Sequence, residues 1–308
     1  ISSGLRGGDL MRIVVTGGTG FIGSEVVERL LDTGSDSVVV TSRDPSRHNR
    51  WRDRVEMVQA FAGDPLTLGR AFTRADVVIH AIQFPNHPVE NPRRGRTYLE
   101  TDGRGTEVAA RVARRVGVRR FVYLSGAGAG QNRPEPWFRA KDRAEAAITA
   151  SGLEHVFLRP SWIYGRRDRS MNRFVAFCRY LPFVPVIGNG KTPVYPISVE
   201  DVARTAADAA RREDLARATF DLGGPQRLTM DDIIRTIQSV LGKRRPLVHH
   251  PVRLMKLLVL PMQLLPEPML SPSAIDFITQ EVELDPRPAQ EAFGSFRRLE
   301  DGLREYLP

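Results

Sequence analysis

The first 160 residues alternate short apolar runs with longer segments whose apolar positions recur every three to four residues. Val38-Val39-Val40 and Val77-Val78-Ile79 are apolar without alternation, as strands covered on both faces require. The pattern predicts strands over 12–16, 37–41, 55–59, 76–80, 120–124 and 154–158. Helices are predicted between them over 21–33, 66–72, 97–116 and 137–151. Strands and helices in this alternation give an α/β fold with a doubly wound parallel sheet.

After residue 160 the rhythm changes. Prolines gather at Pro182, Pro185, Pro193 and Pro196, and helices are predicted over 199–212, 230–241, 252–264, 272–281 and 297–306. The expected organisation is a nucleotide-binding domain over 11–165, with returning segments near 190–222. A small, mainly helical substrate-binding cap is expected over most of 166–308. Residues 1–10 hold too little apolar content for a signal peptide and read as a flexible leader before Met11.

Composition narrows the functional classes. Hydrophobic residues at 41% and charged residues at 26% describe an ordinary globular chain rather than a disordered one. The net charge of +9 invites a nucleic-acid reading, but lysine occurs only at Lys141, Lys191, Lys243 and Lys256, and the arginines are scattered without interleaved aromatics. That dispersion argues against nucleic acid as a partner and for solvated helix faces, cofactor phosphates or an acidic membrane surface. A single cysteine, Cys178, lies in an apolar run and reads as packed rather than nucleophilic. His249-His250 stands alone before Pro251, so no metal site is expected. The longest apolar run, Leu254 to Leu265, is broken by Lys256 and Pro261 and falls short of the roughly 20 residues that a spanning helix needs. It can lie on a membrane surface, face a protein partner, or pack within the cap.

The chemistry begins where the first strand meets Gly17-Gly18-Thr19-Gly20-Phe21-Ile22-Gly23 and then a helix. Glycines let the backbone approach a pyrophosphate, whose charge is met by free N–H groups and the helix dipole. The candidate phosphate contacts are Gly17, Thr19, Gly20, Phe21, Ile22 and Gly23. The second strand ends Thr41-Ser42-Arg43-Asp44. Neutral Ser42 followed by Arg43 favours the 2′-phosphate of NADP over NAD, which remains the alternative because Asp44 is one residue away. Asp64, after the third strand, is a candidate adenine contact or a helix cap before Pro65.

These residues, with Val77-Val-Ile-His-Ala81, Val122-Tyr-Leu-Ser-Gly126, Leu158-Arg-Pro160, Ile163-Tyr-Gly165 and Pro196-Ile-Ser-Val-Glu-Asp-Val202, carry a resemblance from Met11 onward. The chain resembles the extended and atypical short-chain dehydrogenase/reductases. Within them it is most similar to the branch containing the nucleotide-binding accessory subunit of respiratory complex I, and also to NmrA-like proteins. The resemblance implies a Rossmann domain, cofactor contacts extending to Ala81, Lys141 and Pro160, and a catalytic Ser, Tyr and Lys. Ser125 matches the serine and Lys141 the lysine, but Trp137 occupies the tyrosine position. Asp102 stands where many relatives carry asparagine.

An indole N–H cannot replace a phenol as acid or base, and losing a placed acid/base costs about 10²- to 10⁴-fold. Two functional readings follow. In one, the chain binds the cofactor in a structural, assembly or redox-sensing role. In the other, it is an NADPH-dependent reductase or isomerase for a small molecule or quinone, with Lys141 as acid/base, as the resemblance to isoflavone-reductase-like proteins implies. The expected location is the cytoplasm, with a protein or membrane-surface partner through 252–270 placing it at the inner face of the membrane.

Overall fold

The computed structural model describes residues 10–34, 37–84, 87–265, 268 and 270–307. Most of the expected leader, and residues 266, 267 and 269 of the 252–270 segment, lie outside the described residues.

Strands β1 (Arg12–Thr16), β2 (Ser37–Ser42), β3 (Glu56–Gln59), β4 (Val77–His80), β5 (Arg120–Leu124) and β6 (Glu154–Pro160) fall where the apolar runs predicted. Between them run helices α1 (Phe21–Thr33), α2 (Pro65–Phe72), α3 (Gly105–Arg115) and α4 (Pro136–Ala150). Beyond β6 come β7 (Ile163–Tyr164), α5 (Met171–Tyr180), β8 (Val184–Ile187), β9 (Pro193–Val194), β10 (Ile197–Ser198), α6 (Val199–Arg211) and β11 (Ala218–Leu222). The last elements are β12 (Leu228–Thr229), α7 (Met230–Val240), β13 (Leu247–His250), α8 (Val252–Val259), α9 (Pro272–Thr279), α10 (Arg287–Phe293) and α11 (Leu299–Arg304).

The main sheet has the order β11-β6-β5-β4-β1-β2-β3. All pairings from β3 to β6 are parallel. The order reverses between β1 and β4, and such reversals open a crevice at the carboxyl ends of the two strands. The edge strand β11 was not visible in the sequence pattern.

The chain divides into two compact units. The first comprises residues up to Gln83, Tyr98–Arg159 and Val202–Phe220. On one face of its sheet, Val14, Val39, Val78 and Phe121 pack with Leu68 and Phe72 of α2, Ala109 and Ala113 of α3, and Ile148 of α4. Arg120, fully buried at the start of β5, donates to the carbonyls of Ala209 (3.0 Å) and Arg212 (2.5 Å) and pairs with Glu154. It thereby ties the returning segment to the sheet.

The second unit comprises Phe84–Thr97, Pro160–Asp201 and Asp221–Pro308. Its core joins α5, β8, α7 and α11 through Met171, Val175, Val184, Ile233, Ile237 and Leu303. Cys178 is buried there, and burial pushes its thiol up to about 11. The unit is helical as expected, with three added two-stranded sheets: β7 with β10, β8 with β13, and β9 with β12.

Two predicted helices need correction. The single helix expected over 97–116 is a wider π-helix at Tyr98–Arg104 followed by α3. Gly103 lies in the wide turn, where an added Cβ would meet Leu99, Arg143 and Ala140 at 3.6–3.7 Å, so the turn packs close to α4. The helix expected over 252–264 ends as α8 at Val259 and gives way to a 3₁₀ turn at Pro261–Leu264. Proline lacks the N–H and clashes with the preceding turn, so the α-helix cannot run through Pro261.

Candidate cofactor and proton-transfer site

The glycine turn connects β1 to α1 at the reversal of strand order. Gly17 has φ +69°, and a Cβ there would sit 2.6 Å from the Ala81 carbonyl oxygen. A Cβ at Gly23 would overlap the Gly17 carbonyl at 2.3 Å. Side chains at either position would therefore push β1, β4 and α1 apart. Gly20 caps α1 without a side-chain hydrogen bond, so the first turn of the helix keeps free N–H donors beside the exposed turn. Thr19, Phe21 and Ile22 are partly exposed around it. Positive backbone donors in a cradle that has no room for Cβ atoms fit a pyrophosphate.

At the end of β2, Ser42 is buried and accepts from the Asp44 N–H at 3.2 Å. The Asp44 carboxylate accepts from Ser46 (2.5 Å) and pairs with Arg47 (2.9 Å). The Ser46 hydrogen bond, with Arg47, holds its carboxyl below the usual carboxylate range. Arg43 is exposed and forms no ion pair among the described residues. Asp64 caps α2 by accepting from Leu66 N (3.0 Å) and the Thr67 hydroxyl (2.8 Å).

From the glycine turn onward, residues 17–213 match a family model described as NAD(P)H-binding. The chain belongs to the NAD(P)H-binding family. It is 28% identical over 269 residues to the NADH dehydrogenase [ubiquinone] 1 alpha subcomplex subunit 9 of Arabidopsis thaliana, covering 84% of this chain and 66% of that protein. The chain thus spans just under two-thirds of that relative's length. It is also 28% identical over 243 residues to the ceramide reductase of Caulobacter vibrioides, covering 78% and 73% of the two chains. In fold, it is similar to the UDP-glucose 4-epimerase of Thermotoga maritima, with a TM-score of 0.73, 22% identity, and 96% and 98% of the two chains covered. As a member of this family, the chain binds a nicotinamide dinucleotide.

The residues expected to move protons are engaged elsewhere. Lys141 and Ser125 lie in the same unit, but they are not brought into a shared hydrogen bond. Lys141 is 2% exposed and its ammonium lies 3.0 Å from Oδ1 of Asp102, which is fully buried. The same ammonium sits over the Trp137 ring at 4.7 Å and the Tyr123 ring at 5.2 Å. Burial works to lower its pKa, but the neighbouring Tyr123 and Asp102 side chains outweigh burial and raise it above the usual lysine value. Burial pushes the Tyr123 phenol up to about 12. Tyr164, the other nearby tyrosine in sequence, belongs to the second unit, where its hydroxyl approaches the Arg298 carbonyl at 3.4 Å.

Trp137 packs on Gly126, where a Cβ would meet the indole at 2.3 Å, and edge-on against Tyr98. Behind the site, His80 bridges Thr16 (2.8 Å) and Thr106 (3.1 Å) in the core. Burial, helped by the Lys141 charge, depresses His80 to about 3.

Ser125 donates to Oε1 of Glu145 at 2.6 Å. Arg159 donates to the same carboxylate through Nε (3.0 Å) and Nη2 (2.5 Å). Sequence reasoning missed Glu145 and the role of Arg159. The signal was present: Glu145 follows Lys141 by four residues, one turn along the same face of α4, and Arg159 is the middle residue of Leu158-Arg-Pro160. Pro160 is buried at the end of β6.

Proposed function

We propose that this chain holds NADP(H) in preference to NAD(H) and does so without the usual dehydrogenase proton transfer, in a structural, assembly or redox-sensing role. The carrying observation is the buried Lys141–Asp102 pair beneath Trp137. The lysine's charge is neutralised inside the protein, no phenol stands next to it at the tyrosine position, and its raised pKa leaves it a poor proton donor near neutrality. The NADP preference rests on Arg43, exposed and without an ion pair among the described residues, beside an Asp44 carboxylate already engaged by Ser46 and Arg47. In this reading Gly17, Thr19, Gly20, Phe21, Ile22 and Gly23 hold the pyrophosphate. Ser42 and Arg43 meet the ribose phosphate, Asp64 lies toward the adenine, and Ala81 borders the nicotinamide half. A bound dinucleotide would supply hydride chemistry and would stabilise the folded chain by mass action.

Similarity to a complex I subunit supports a structural or assembly role, and similarity to a reductase supports the second reading, in which Lys141 is the acid/base. The test is absorbance and mass spectrometry of the purified protein, followed by a carbonyl, quinone and enone panel. Copurified NADP(H) with no oxidation over the panel is the expected result. Turnover that Lys141→Ala abolishes while NADPH still binds would replace this reading with the second.

No described helix is long and apolar enough to cross a membrane. Leu254, Leu257 and Leu258 nevertheless stand 46–64% exposed on one side of α8, with Leu260 and Leu265 exposed just beyond. We infer that this surface rests on an anionic membrane face, the excess positive charge of the chain supplying the attraction. Binding to vesicles of phosphatidylglycerol and phosphatidylcholine that is lost in a Leu254/Leu257/Leu258→Ser variant is expected. Equal binding by both proteins would sink the inference.

A further inference from the structure

A serine hydroxyl has one proton to give and two lone pairs with which to accept. In this structure the Ser125 proton is committed. Both oxygens of the Glu145 carboxylate accept from Arg159, so the hydrogen in the 2.6 Å contact between Ser125 Oγ and Glu145 Oε1 belongs to the serine. Ser125 and Glu145 are both buried, at 5% and 7% exposure, so water does not compete for the bond.

The arrangement is held from several sides. Gly130 lies against the Arg159 guanidinium, where a Cβ would come within 2.6 Å of Nη2, and its N–H donates to Asp142 Oδ1 at 2.6 Å. The Ser125 N–H donates to the Leu158 carbonyl at 2.8 Å, fixing the serine backbone to β6. Rotating the hydroxyl toward a ligand would leave a buried carboxylate lone pair without its donor, an expensive change.

We propose that Ser125 meets its ligand as a hydrogen-bond acceptor, with Glu145, clamped by Arg159, as the positioning residue that sets this polarity. The ligand group seated against Ser125 is therefore a donor, such as an alcohol hydroxyl. A carbonyl oxygen there would face a serine lone pair and find no proton. This inference rests on the cofactor-binding reading together with the match of Ser125 to the family's serine, which is what sets a ligand against it, and it adds the chemical class of the ligand.

The test compares a matched pair, 1-phenylethanol and acetophenone, by ligand-observed NMR on the full chain saturated with NADP⁺. One usable hydrogen bond corresponds to about five-fold, so the alcohol is expected to bind about five-fold more tightly than the ketone. Glu145→Gln places a neutral amide that can turn its NH₂ toward Ser125, freeing the serine proton, and the ratio is expected to fall to about one. Should that variant fail to unfold cooperatively on heating, Ser125→Ala serves instead and is expected to remove the same preference. Equal affinities in the unaltered protein, tighter ketone binding, no detectable binding of either probe, or a ratio unchanged by both substitutions overturns the proposal. A titration with NADPH in the same samples separates the two readings: failure to bind NADPH sinks the functional reading, whereas NADPH binding without alcohol preference sinks only the role of Ser125.

Discussion

The Lys141 ammonium faces the Asp102 carboxylate at 3.0 Å, and neither side chain is open to water. Each charge is therefore compensated chiefly by the other, and removing one leaves the other buried and uncompensated. Asp102→Asn is expected to destabilise the chain by about 3–5 kcal/mol. Denaturant unfolding measures this directly, and a loss below about 1 kcal/mol would mean that the pair is not the tight, dry contact described here.

The same pair predicts what happens when a phenol is put back. Trp137→Tyr alone is expected to leave the chain inactive over a carbonyl panel, because Lys141 has no free charge with which to lower the pKa of the new tyrosine. Combining it with Asp102→Asn releases that charge. Absorbance at the tyrosinate band, followed against pH, is expected to show a lower-titrating phenol only in the double variant, and its appearance in Trp137→Tyr alone would contradict the account.

Arg43→Ala is expected to weaken NADPH binding about ten-fold, a loss of about 1.4 kcal/mol, while leaving NADH nearly unchanged. Fluorescence titration of the two nucleotides decides it. Parallel losses for both would assign Arg43 a general electrostatic role, and no loss for either would remove it from the site.

Gly23→Ala inserts a methyl group where 2.3 Å separates the Cβ position from the Gly17 carbonyl. The helix and the turn must separate, so copurified nucleotide is expected to disappear. Retention of nucleotide at the level of the unaltered protein would show that the cradle yields more easily than close packing allows.

His80 gives stability a pH dependence. Its pKa falls from 6.5 to about 3 on folding, so the native state holds it neutral while the unfolded chain takes up a proton below about pH 6.5. The stabilisation is present above that value and is lost as pH falls toward 3, at about 1.4 kcal/mol per pH unit. Urea midpoints between pH 7 and pH 5 are expected to decline, and His80→Asn is expected to flatten that decline. An equally steep fall in the variant would assign the effect to carboxylates.

Much of the first unit was legible because local signals agreed. β1 and α1 lie where the apolar pattern put them, bounded by the glycine turn at one end and by Gly34, at φ +67°, at the other. The strand β11 was not legible, since Ala218-Thr-Phe-Asp-Leu222 has little of the unbroken β-branched character of β2 or β4. The π-helix at Tyr98–Arg104 was likewise hidden, because the same apolar spacing serves a wide turn and an ordinary one until packing against α4 decides. In the site, the glycine cradle could be read from adjacent residues. The engagement of Lys141 could not, because Asp102 is 39 residues away and the pairing depends on burial that only tertiary structure creates.

The hydrogen bonds of Arg120 bear on how the chain is made. Its carbonyl partners lie 89 and 92 residues further along, beyond a long stretch that belongs to the other unit. A nascent chain that has cleared the ribosome only as far as Arg159 holds six strands of the sheet, yet it leaves a guanidinium in their midst with two acceptors not yet synthesised. The nucleotide-binding half can therefore reach its finished form only after the intervening segment has emerged, and a fragment cut at residue 159 would keep the Glu154 partner of Arg120 but lack both of its carbonyl acceptors.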